Sequence, residues 1–346
     1  MQNTFSIGEA KRIVADLFVP NLYIYWSDFL FHISLGWISF FLIINDQIAF
    51  DVKLLLFFIA GLSLYRSVLF IHELAHFKKG TFRFFKIVWN LTCGFPLMVP
   101  SFTYLGVHID HHKQKIYGTQ ADGEYMSFAF EVPMKIILMF LGSFLAPLVF
   151  LIRFMILTPL SYVNQKIREF TWEKASSLVI DLSYRRTQPT RVEEQKWKME
   201  EGATCFYGWI VFFLMVFHFI PFQLAEWWYG ITTFILLVNM ARTLVAHGYQ
   251  NPPNHILQFE GQFLDSITIP GNPIFTPLWA PVGLRFHAVH HLFPGMPYHS
   301  LKVAHRRLLS QLPKSSVYFH TIQKSWLTAF KQLWLNSWNF SKKQRI

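Results

Sequence analysis

The stretch that decides the fold is YWSDFLFHISLGWISFFLIINDQIAFDVKLLLFFIAGLSLYRSVLFIHELAH, residues 25–76. It contains two apolar runs, Tyr25 to Asn45 and Lys53 to Ile71, and each is close to the roughly 20 residues that a helix needs to cross a bilayer. A short acidic turn with Asp46 and Asp51 joins the runs. The stretch therefore predicts a helical hairpin in a membrane, with a pair of histidines directly at its end.

The composition also indicates a membrane protein. Hydrophobic residues make up 53% of the 346 residues and charged residues 15%, whereas a soluble domain carries about a quarter charged residues. The net charge of +11 is typical of cytoplasmic loops and of contact with anionic headgroups. No nucleic-acid-binding module is present, so we predict no nucleic-acid partner. Cys93 and Cys205 form no CxxC pair, which argues against a disulfide framework or a thiolate metal site.

Three further apolar runs follow. Phe206 to Leu224 and Trp227 to Ala246 predict a second hairpin, and Pro133 to Leu157 contains Pro147. The Lys- and Arg-rich stretch 78–198 and the C-terminal tail are predicted to face the cytoplasm. If Pro133–Leu157 crossed the membrane, either the basic stretch Lys166–Lys198 or the third histidine cluster would lie on the side opposite the cytoplasm. We therefore predict a re-entrant or in-plane pair of helices bent near Pro147.

The predicted fold class is an all-α integral membrane protein. It has about four transmembrane helices in two hairpins, in-plane or re-entrant helices, and a cytoplasmic helical cap that holds a di-metal site. The run Ile87–Phe102 is broken by Gly94 and two prolines and is predicted to be interfacial. Residues 1–20 are predicted to be a cytoplasmic or interfacial segment, residues 21–320 the membrane domain, and residues 321–346 a basic tail.

Most of the 15 histidines lie in three clusters: HELAH at 72–76, HIDHH at 108–112 and HAVHH at 287–291. Spacings of three and four residues place the histidines of a cluster on one face of a helix. His247, at the end of the last apolar run, is a ninth candidate. The predicted metal ligands are His72, His76, His108, His111, His112, His247, His287, His290 and His291.

Eight or nine imidazoles are too many for one ion and fit two ions with about four protein ligands each. Imidazole suits iron, copper, zinc and nickel. Iron is favoured because a lipid-facing enzyme without thiolates suits dioxygen chemistry, whereas structural zinc more often recruits cysteine. Ligating histidines usually donate their other nitrogen to a carboxylate or carbonyl. Candidates for this supporting role, with solvated loop residues as the alternative interpretation, are Glu73, Asp110, Asp122, Glu124 and His299.

The three clusters, in this order and spacing, resemble the histidine boxes of the membrane fatty acid desaturases and of the wider desaturase–hydroxylase superfamily. The segments FHAVHHLFP (286–294), PYH (297–299) and AHRRL (304–308) are similar to the third box of the bacterial members. The segment YGT (117–119), with Asp122 and Glu124, is similar to the region after the second box. The resemblance covers about residues 20–315.

This resemblance implies two iron ions (Fe2+) held by the box histidines, dioxygen as co-substrate, and an acyl chain in a buried tunnel. His247 matches the extra histidine that several members have before the third box. The third box begins with His287, whereas front-end desaturases often have Gln there. No His-Pro-Gly-Gly haem motif is present, so the electron donor is expected to be a separate protein, ferredoxin-like or another reductase chain.

The leading prediction is a fatty acid desaturase that introduces a double bond into a fatty acyl chain of a membrane lipid or acyl thioester. The alternative within the superfamily is a hydroxylase or ketolase acting on a lipid, an alkane or a carotenoid. A metal transporter or a non-enzymatic metal-binding protein is less favoured, because the clustered histidines lie outside the apolar runs. The expected location is the bacterial inner membrane, crossed several times, with the histidines on the cytoplasmic side.

Overall fold

A computed structural model describes residues 6–77 and 80–344. Lys78, Arg345 and the first five residues of the predicted N-terminal segment lie outside this description. The described chain is helical, with three isolated β-bridges. Its α-helices are α1 Ile7–Ile13, α2 Leu22–Ile43, α3 Phe50–Val68, α4 Phe70–His76, α5 Arg83–Trp89, α6 Phe102–His111, α7 Pro133–Leu151, α8 Thr158–Val163, α9 Gln165–Lys174, α10 Arg191–Val216, α11 Gln223–Thr243, α12 Phe259–Asp265, α13 Thr276–Trp279, α14 His287–Leu292, α15 Tyr298–Gln311 and α16 Trp326–Lys343.

Helices α2 and α3 form the first predicted hairpin. Asn21 caps α2 because its side chain accepts from two backbone N–H groups of the first turn, a standard way to satisfy exposed helix donors. The two helices approach closely at Gly36, where a Cβ atom would lie 2.7 Å from the Leu64 side chain. Toward the histidine end, Arg66 donates to both oxygens of Asp28 at 2.7 and 2.5 Å. Helix α3 continues into α4, so the hairpin directly positions the first histidine cluster.

Within the described residues, four helical stretches are long and apolar enough to cross a membrane: Leu22–Ile43, Phe50–His76, Pro133–Val163 and Arg191–Val216. The predicted class, an all-α membrane protein with about four such helices, is therefore confirmed. The set differs from the prediction in one member. Helix α11, predicted to be the second arm of the second hairpin, is not in the set, and it carries Glu226, Asn239 and Arg242.

Helix α11 is nevertheless central to the bundle, because it packs against both α3 and α7. A Cβ atom at Gly61 would lie 2.4 Å from the ring of Phe234, and the rings of Phe57 and Trp227 are 6.2 Å apart. Residue 57 of α3 lies beside residue 227 of α11, and residue 61 lies beside residue 234. The contacting residues thus advance in the same direction along both helices, so α11 runs parallel to α3. It therefore ends beside the histidines, as α3 does, and delivers His247 to them.

The stretch Pro133–Val163 is one continuous helix, with a π-helical segment at Ile152–Leu157. The pair of helices predicted to bend near Pro147 is a single helical stretch in the structure, and Pro147 lies inside it. A proline inside an apolar helix is tolerated where π-helical turns and neighbouring helices satisfy the freed backbone groups.

Both ends of this helix lie toward the histidine end of the bundle. Ile136 packs with Leu244, which follows α11. At the other end, Tyr162 donates to the carbonyl of Lys198 at 2.8 Å, in the first half of α10. Helix α10 starts at the histidine end, because a short turn at the opposite end joins it to α11. These contacts agree with a segment that enters the apolar layer and returns.

The run predicted to be interfacial turns back beside the first hairpin. Trp89 donates its Nε1–H to the carbonyl of Ser67 at 2.9 Å, and Trp37 donates to the carbonyl of Thr92 at 2.8 Å. A second π-helical segment, Asn90–Gly94, makes the reversal. The turn leads into α6, which carries the second histidine cluster.

Candidate metal centre

The three histidine clusters and His247 meet in one place. Two groups of four histidines each offer one nitrogen per ring, and the four nitrogens of a group lie within 4.8 Å of one another. The first group, called site A, contains His72, His76, His108 and His290. The second group, called site B, contains His111, His247, His287 and His291.

His112 lies between the two sites. Its Nε2 is 3.2 Å from Nε2 of His108 and 3.1 Å from Nε2 of His290, and its ring stacks on His291 with centroids 4.4 Å apart. These distances allow His112 to complete site A as a fifth ligand. The structure therefore brings together all nine predicted histidines.

The spacing of the ring nitrogens fits metal coordination. Nε2 of His76 and Nε2 of His108 are 2.9 Å apart, as are Nε2 of His247 and Nε2 of His287. Two ligands at right angles on an ion with bonds of about 2.1 Å would be about 3.0 Å apart, compared with about 3.4 Å in a tetrahedron. The donors present therefore suit two ions of higher coordination number that keep positions free for small ligands.

The protonation states also favour metal binding. Burial lowers the pKa of most of these rings, and neighbouring imidazoles lower it further; this holds for His108, His112, His247, His287, His290 and His291. Neutral imidazole is the form that binds metal. The cap therefore holds these rings ready for ligation at neutral pH.

His111 is oriented by Asp122. Its Nδ1 lies 2.9 and 3.1 Å from the two carboxylate oxygens. Backbone N–H groups of Gly118 and Glu124 hold that carboxylate at 2.9 and 3.0 Å. Burial opposes protonation of His111, but the charge and hydrogen bond of Asp122 outweigh it and raise the pKa of His111. With Nδ1 occupied by Asp122, Nε2 faces the metal position.

His108 is oriented in the same way by Glu124, whose Oε2 lies 2.8 Å from Nδ1. Tyr104 stacks on His108 with centroids 5.0 Å apart, and its hydroxyl is 3.0 Å from the same Nδ1. Burial raises the pKa of Glu124 to about 7. Tyr104 is absent from the predicted residues, although its position one helical turn before His108 was a usable signal.

His247 has a different kind of partner. Its Nδ1 lies 2.8 Å from the hydroxyl of Tyr117, and that hydroxyl donates to Asp265 at 2.8 Å. Since the hydroxyl proton goes to Asp265, the Tyr117 oxygen accepts from Nδ1–H of His247. Tyr125 donates to the same carboxylate oxygen at 2.8 Å. Sequence reasoning missed this relay, because no local pattern links Asp265 to residues more than a hundred positions away.

Comparisons with known proteins agree with this geometry. The sequence model of the fatty acid desaturase family matches residues 52–323. The chain belongs to the fatty acid desaturase family. A ceramide hydroxylase of Caulobacter vibrioides (strain NA1000 / CB15N) is 35% identical over 310 residues, which are 90% of this chain and 88% of that protein. No solved structure matches the chain.

The family assignment gives the site a general chemistry. The desaturase–hydroxylase superfamily depends on two irons, and its members are oxidoreductases that act on membrane lipids with electron donors. The donor set here, nine imidazoles in two groups, fits such a pair of ions. The predicted resemblance is thereby confirmed, while the reaction and substrate of this chain belong to the proposals below.

Three other predicted residues occupy different places around this desaturase-family site. Glu73 accepts from Tyr25 at 2.5 Å and from the backbone N–H of Tyr298 at 3.0 Å, and it lies 3.7 Å from Nδ1 of His72. Glu73 therefore links α4, which carries the first cluster, to Tyr25 on α2 and to Tyr298 at the start of α15. Glu73 therefore positions His72 mainly by fixing the helix that carries it.

Asp110 and His299 turn toward other partners. Asp110 forms an ion pair of 2.6 Å with Lys113 on the outer side of α6. His299 accepts from the backbone N–H of Asn21 at 3.1 Å, and thereby ties the cap to the start of α2. The described contacts place neither side chain against a ring of site A or site B.

Proposed function

We propose that this protein is a di-iron oxidoreductase that hydroxylates the hydrocarbon chain of a ceramide-like membrane lipid. The observation that carries the proposal is a complete nine-histidine centre in a chain similar to a ceramide hydroxylase over 90% of its length. The geometry supports dioxygen chemistry because both metal positions are lined by imidazole nitrogens, whose spacing leaves positions for small ligands.

Each side chain at the site has a distinct task in this proposal. The nine histidines would hold two iron ions, which when bound supply the dioxygen activation needed to attack an unactivated methylene. Asp122, Glu124 and Tyr117 each accept a hydrogen bond from Nδ1 of one ligand, which keeps Nε2 free and fixes the ring orientation. Burial of seven of the nine rings excludes bulk water from the reacting centre.

Desaturation of a fatty acyl chain is the second candidate, and the match of the family model over residues 52–323 favours it. Both reactions begin with the removal of hydrogen from a methylene. They differ in the outcome, because a hydroxylase adds one oxygen atom while a desaturase removes a second hydrogen from the neighbouring carbon. The position of the lipid's hydrocarbon chain relative to the two ions decides which of the two reactions occurs.

The proposal includes a location and a redox partner. The four apolar helices support a membrane protein. The excess of Lys and Arg on the histidine side supports the inner membrane of a bacterium with the metal centre at its cytoplasmic face. Electrons would come from a separate protein, ferredoxin-like or another reductase chain, docking on the cap.

The test is lipid analysis in a host with and without the protein. We expect new ceramide species that carry one additional oxygen atom, and growth under isotopically heavy dioxygen should place the heavy atom in the product. His290→Ala should abolish the product, whereas the exposed His320, changed to Ala, serves as a matched control and should keep it. A loss of two hydrogens without added oxygen would instead establish the desaturase. Unchanged lipids with both irons bound would overturn both candidates.

A further inference from the structure

Three arginines outside the metal centre are buried close to one another, and two of them, Arg153 and Arg168, pair with the same carboxylate. Arg153, Arg168 and Arg186 are 3%, 6% and 6% exposed, and Glu201 is 1% exposed. Glu201 accepts from Arg153 with one oxygen and from Arg168, at 2.6 Å, with the other. Buried charges are costly unless they are paired, so this group of buried side chains has an excess of positive charge.

The side-chain N–H groups in this cluster differ in whether they have a hydrogen-bond acceptor. Arg153 reaches acceptors with all three of its side-chain nitrogens. In contrast, Nε and Nη2 of Arg168 and Nε1 of Trp172 are buried without a hydrogen-bond partner among the described residues. The guanidinium of Arg168 lies over the Trp172 ring at 4.3 Å. Unpaired buried donors are rare and require an explanation, and here all three need an acceptor.

A cavity of about 130 Å³ lies beside these donors, between α9 and α10. Arg168 and Trp172 line it on the buried side, and the carboxylates of Glu169 and Glu194 line it as well. Glu169 is exposed and Glu194 is partly exposed. The cavity therefore presents buried cationic donors and, nearer its mouth, two anionic acceptors.

The helices around the cavity also expose apolar side chains. Val163 at the end of α8 is 84% exposed, Phe170 on α9 is 49% exposed, and Val192 and Met199 on α10 are 62% and 74% exposed. Helix α8 is itself the last part of the apolar stretch Pro133–Val163. A polar cavity with apolar side chains on the same helices is typical of the headgroup level of a membrane.

We propose that this cavity binds the head group of a membrane phospholipid that carries both a phosphate and a primary ammonium, such as phosphatidylethanolamine. The phosphate accepts from Arg168 and Trp172, and the ammonium donates to Glu169 and Glu194. Glu169 accepts from Gln165 at 3.1 Å and Glu194 pairs with Lys198 at 2.8 Å, and each carboxylate keeps further lone pairs for an ammonium N–H. A head group with only negative charge is repelled by both carboxylates, and a choline group has no N–H to donate. The site is independent of the reaction at the histidines and anchors the α8–α10 region to the bilayer.

Native mass spectrometry and thermal unfolding of the purified full-length protein test this assignment. Equal amounts of phosphatidylethanolamine, phosphatidylglycerol and phosphatidylcholine are added in detergent. We expect phosphatidylethanolamine to be retained most and to raise the Tm most. Trp172→Phe removes one donor and keeps the ring that stacks on Trp197 at 4.9 Å, so affinity should fall about tenfold, as for one hydrogen bond to a charged group.

Acid variants separate the two halves of the head group. Glu169→Gln with Glu194→Gln should abolish the preference for phosphatidylethanolamine over phosphatidylglycerol. Glu131→Gln is the matched control, since Glu131 pairs with a lysine four residues later, as Glu194 does, but lies outside the cavity; Trp338→Phe controls for the loss of an indole. Equal retention of the three lipids overturns the proposal, as does a preference unchanged in Trp172→Phe. Binding of inorganic phosphate with no lipid preference also overturns it.

Discussion

Site A and site B contain the same kind of ligand, but different parts of the fold support them. Site A takes His72 and His76 from α4, the continuation of a membrane helix. None of the site B histidines comes from the first hairpin. All four rings of site B are buried, whereas His76 in site A is partly exposed. Site A is therefore coupled to the first membrane hairpin, whereas site B takes its histidines from α6, α14 and the segment that follows α11.

The two sites also differ in how their rings are oriented. In site B, both His111 and His247 have a partner for Nδ1. In site A, His108 has such a partner. Among the described residues, Nδ1 of His72 and Nδ1 of His290 in site A have none, and neither does Nδ1 of His287 in site B. A ring that is already oriented loses less freedom on ligation. We therefore expect site B to bind its ion more tightly and site A to release its ion first.

Removal of one ligand from each site should have the largest effect. His287→Ala and His76→Ala should each lose one of two bound irons and reduce turnover to below about one-thousandth, since two-ion chemistry needs both ions. Metal analysis of the purified variants, together with product formation, checks this outcome. His320→Ala should keep both irons and full turnover. If His287→Ala kept both irons, site B would not be a metal site.

Substitution of Asp122 or Glu124 should have the next largest effect, and each should lower the iron affinity of one site. Asp122→Asn should weaken iron binding in site B, and Glu124→Gln in site A, by about 10- to 100-fold. Titration with a chelator, which removes the two irons in sequence, measures both affinities. Asp110→Asn is the matched control, because Asp110 pairs with Lys113, and it should change neither. A larger loss in site B from Glu124→Gln would contradict the proposed division.

The tyrosines offer a finer comparison. Tyr117→Phe removes the nearest acceptor for His247 and should weaken site B about tenfold, because Ser266 Oγ at 3.4 Å makes a longer contact and Asp265 at 3.9 Å is too far to replace it. Tyr104→Phe should have little effect on site A, because His108 keeps Glu124. The same chelator titration distinguishes the two variants. Equal losses would show that the tyrosines act through packing and not through the hydrogen bond.

His305 is a source of acid sensitivity that lies outside the two metal sites. Burial, and secondarily Arg285, lowers its pKa from 6.5 to about 4, and its Nδ1 lies 2.6 Å from the hydroxyl of Tyr318. As the pH falls, His305 is protonated in the unfolded chain before it is protonated in the folded protein. The free energy of unfolding therefore keeps its full value above about pH 6.5 and decreases as the pH falls toward 4.

The size of this effect is up to about 3 kcal/mol of unfolding free energy. Chelator-treated His305→Gln should therefore lose less stability than the wild type between pH 6.5 and pH 4, while its iron content and turnover at pH 7 stay the same. Thermal unfolding across this range is the measurement. Identical pH profiles of the two proteins would exclude His305 as a source of acid lability.

The nine histidines were predictable from the sequence because each box encodes its ligand face locally. Spacings of three and four residues bring rings together on any helix, whatever the rest of the fold does. Asp122 and Glu124 were predictable for a similar reason, since they follow the second box closely in the chain. The same local logic misled for Asp110, which lies inside the box but on the opposite face of α6.

The division into two sites, in contrast, was decided by the tertiary structure. His290 and His291 are neighbours in the chain, yet the first belongs to site A and the second to site B, because successive residues on a helix point about 100° apart. Which ion each ring serves depends on where the other boxes arrive. Asp265 became part of the site only because α12 packs against α14, where Tyr117 and Tyr125 from the segment after the second box reach it. Residue spacing thus determined which histidines share a helix face, and the packing of distant helices determined their grouping and their supports.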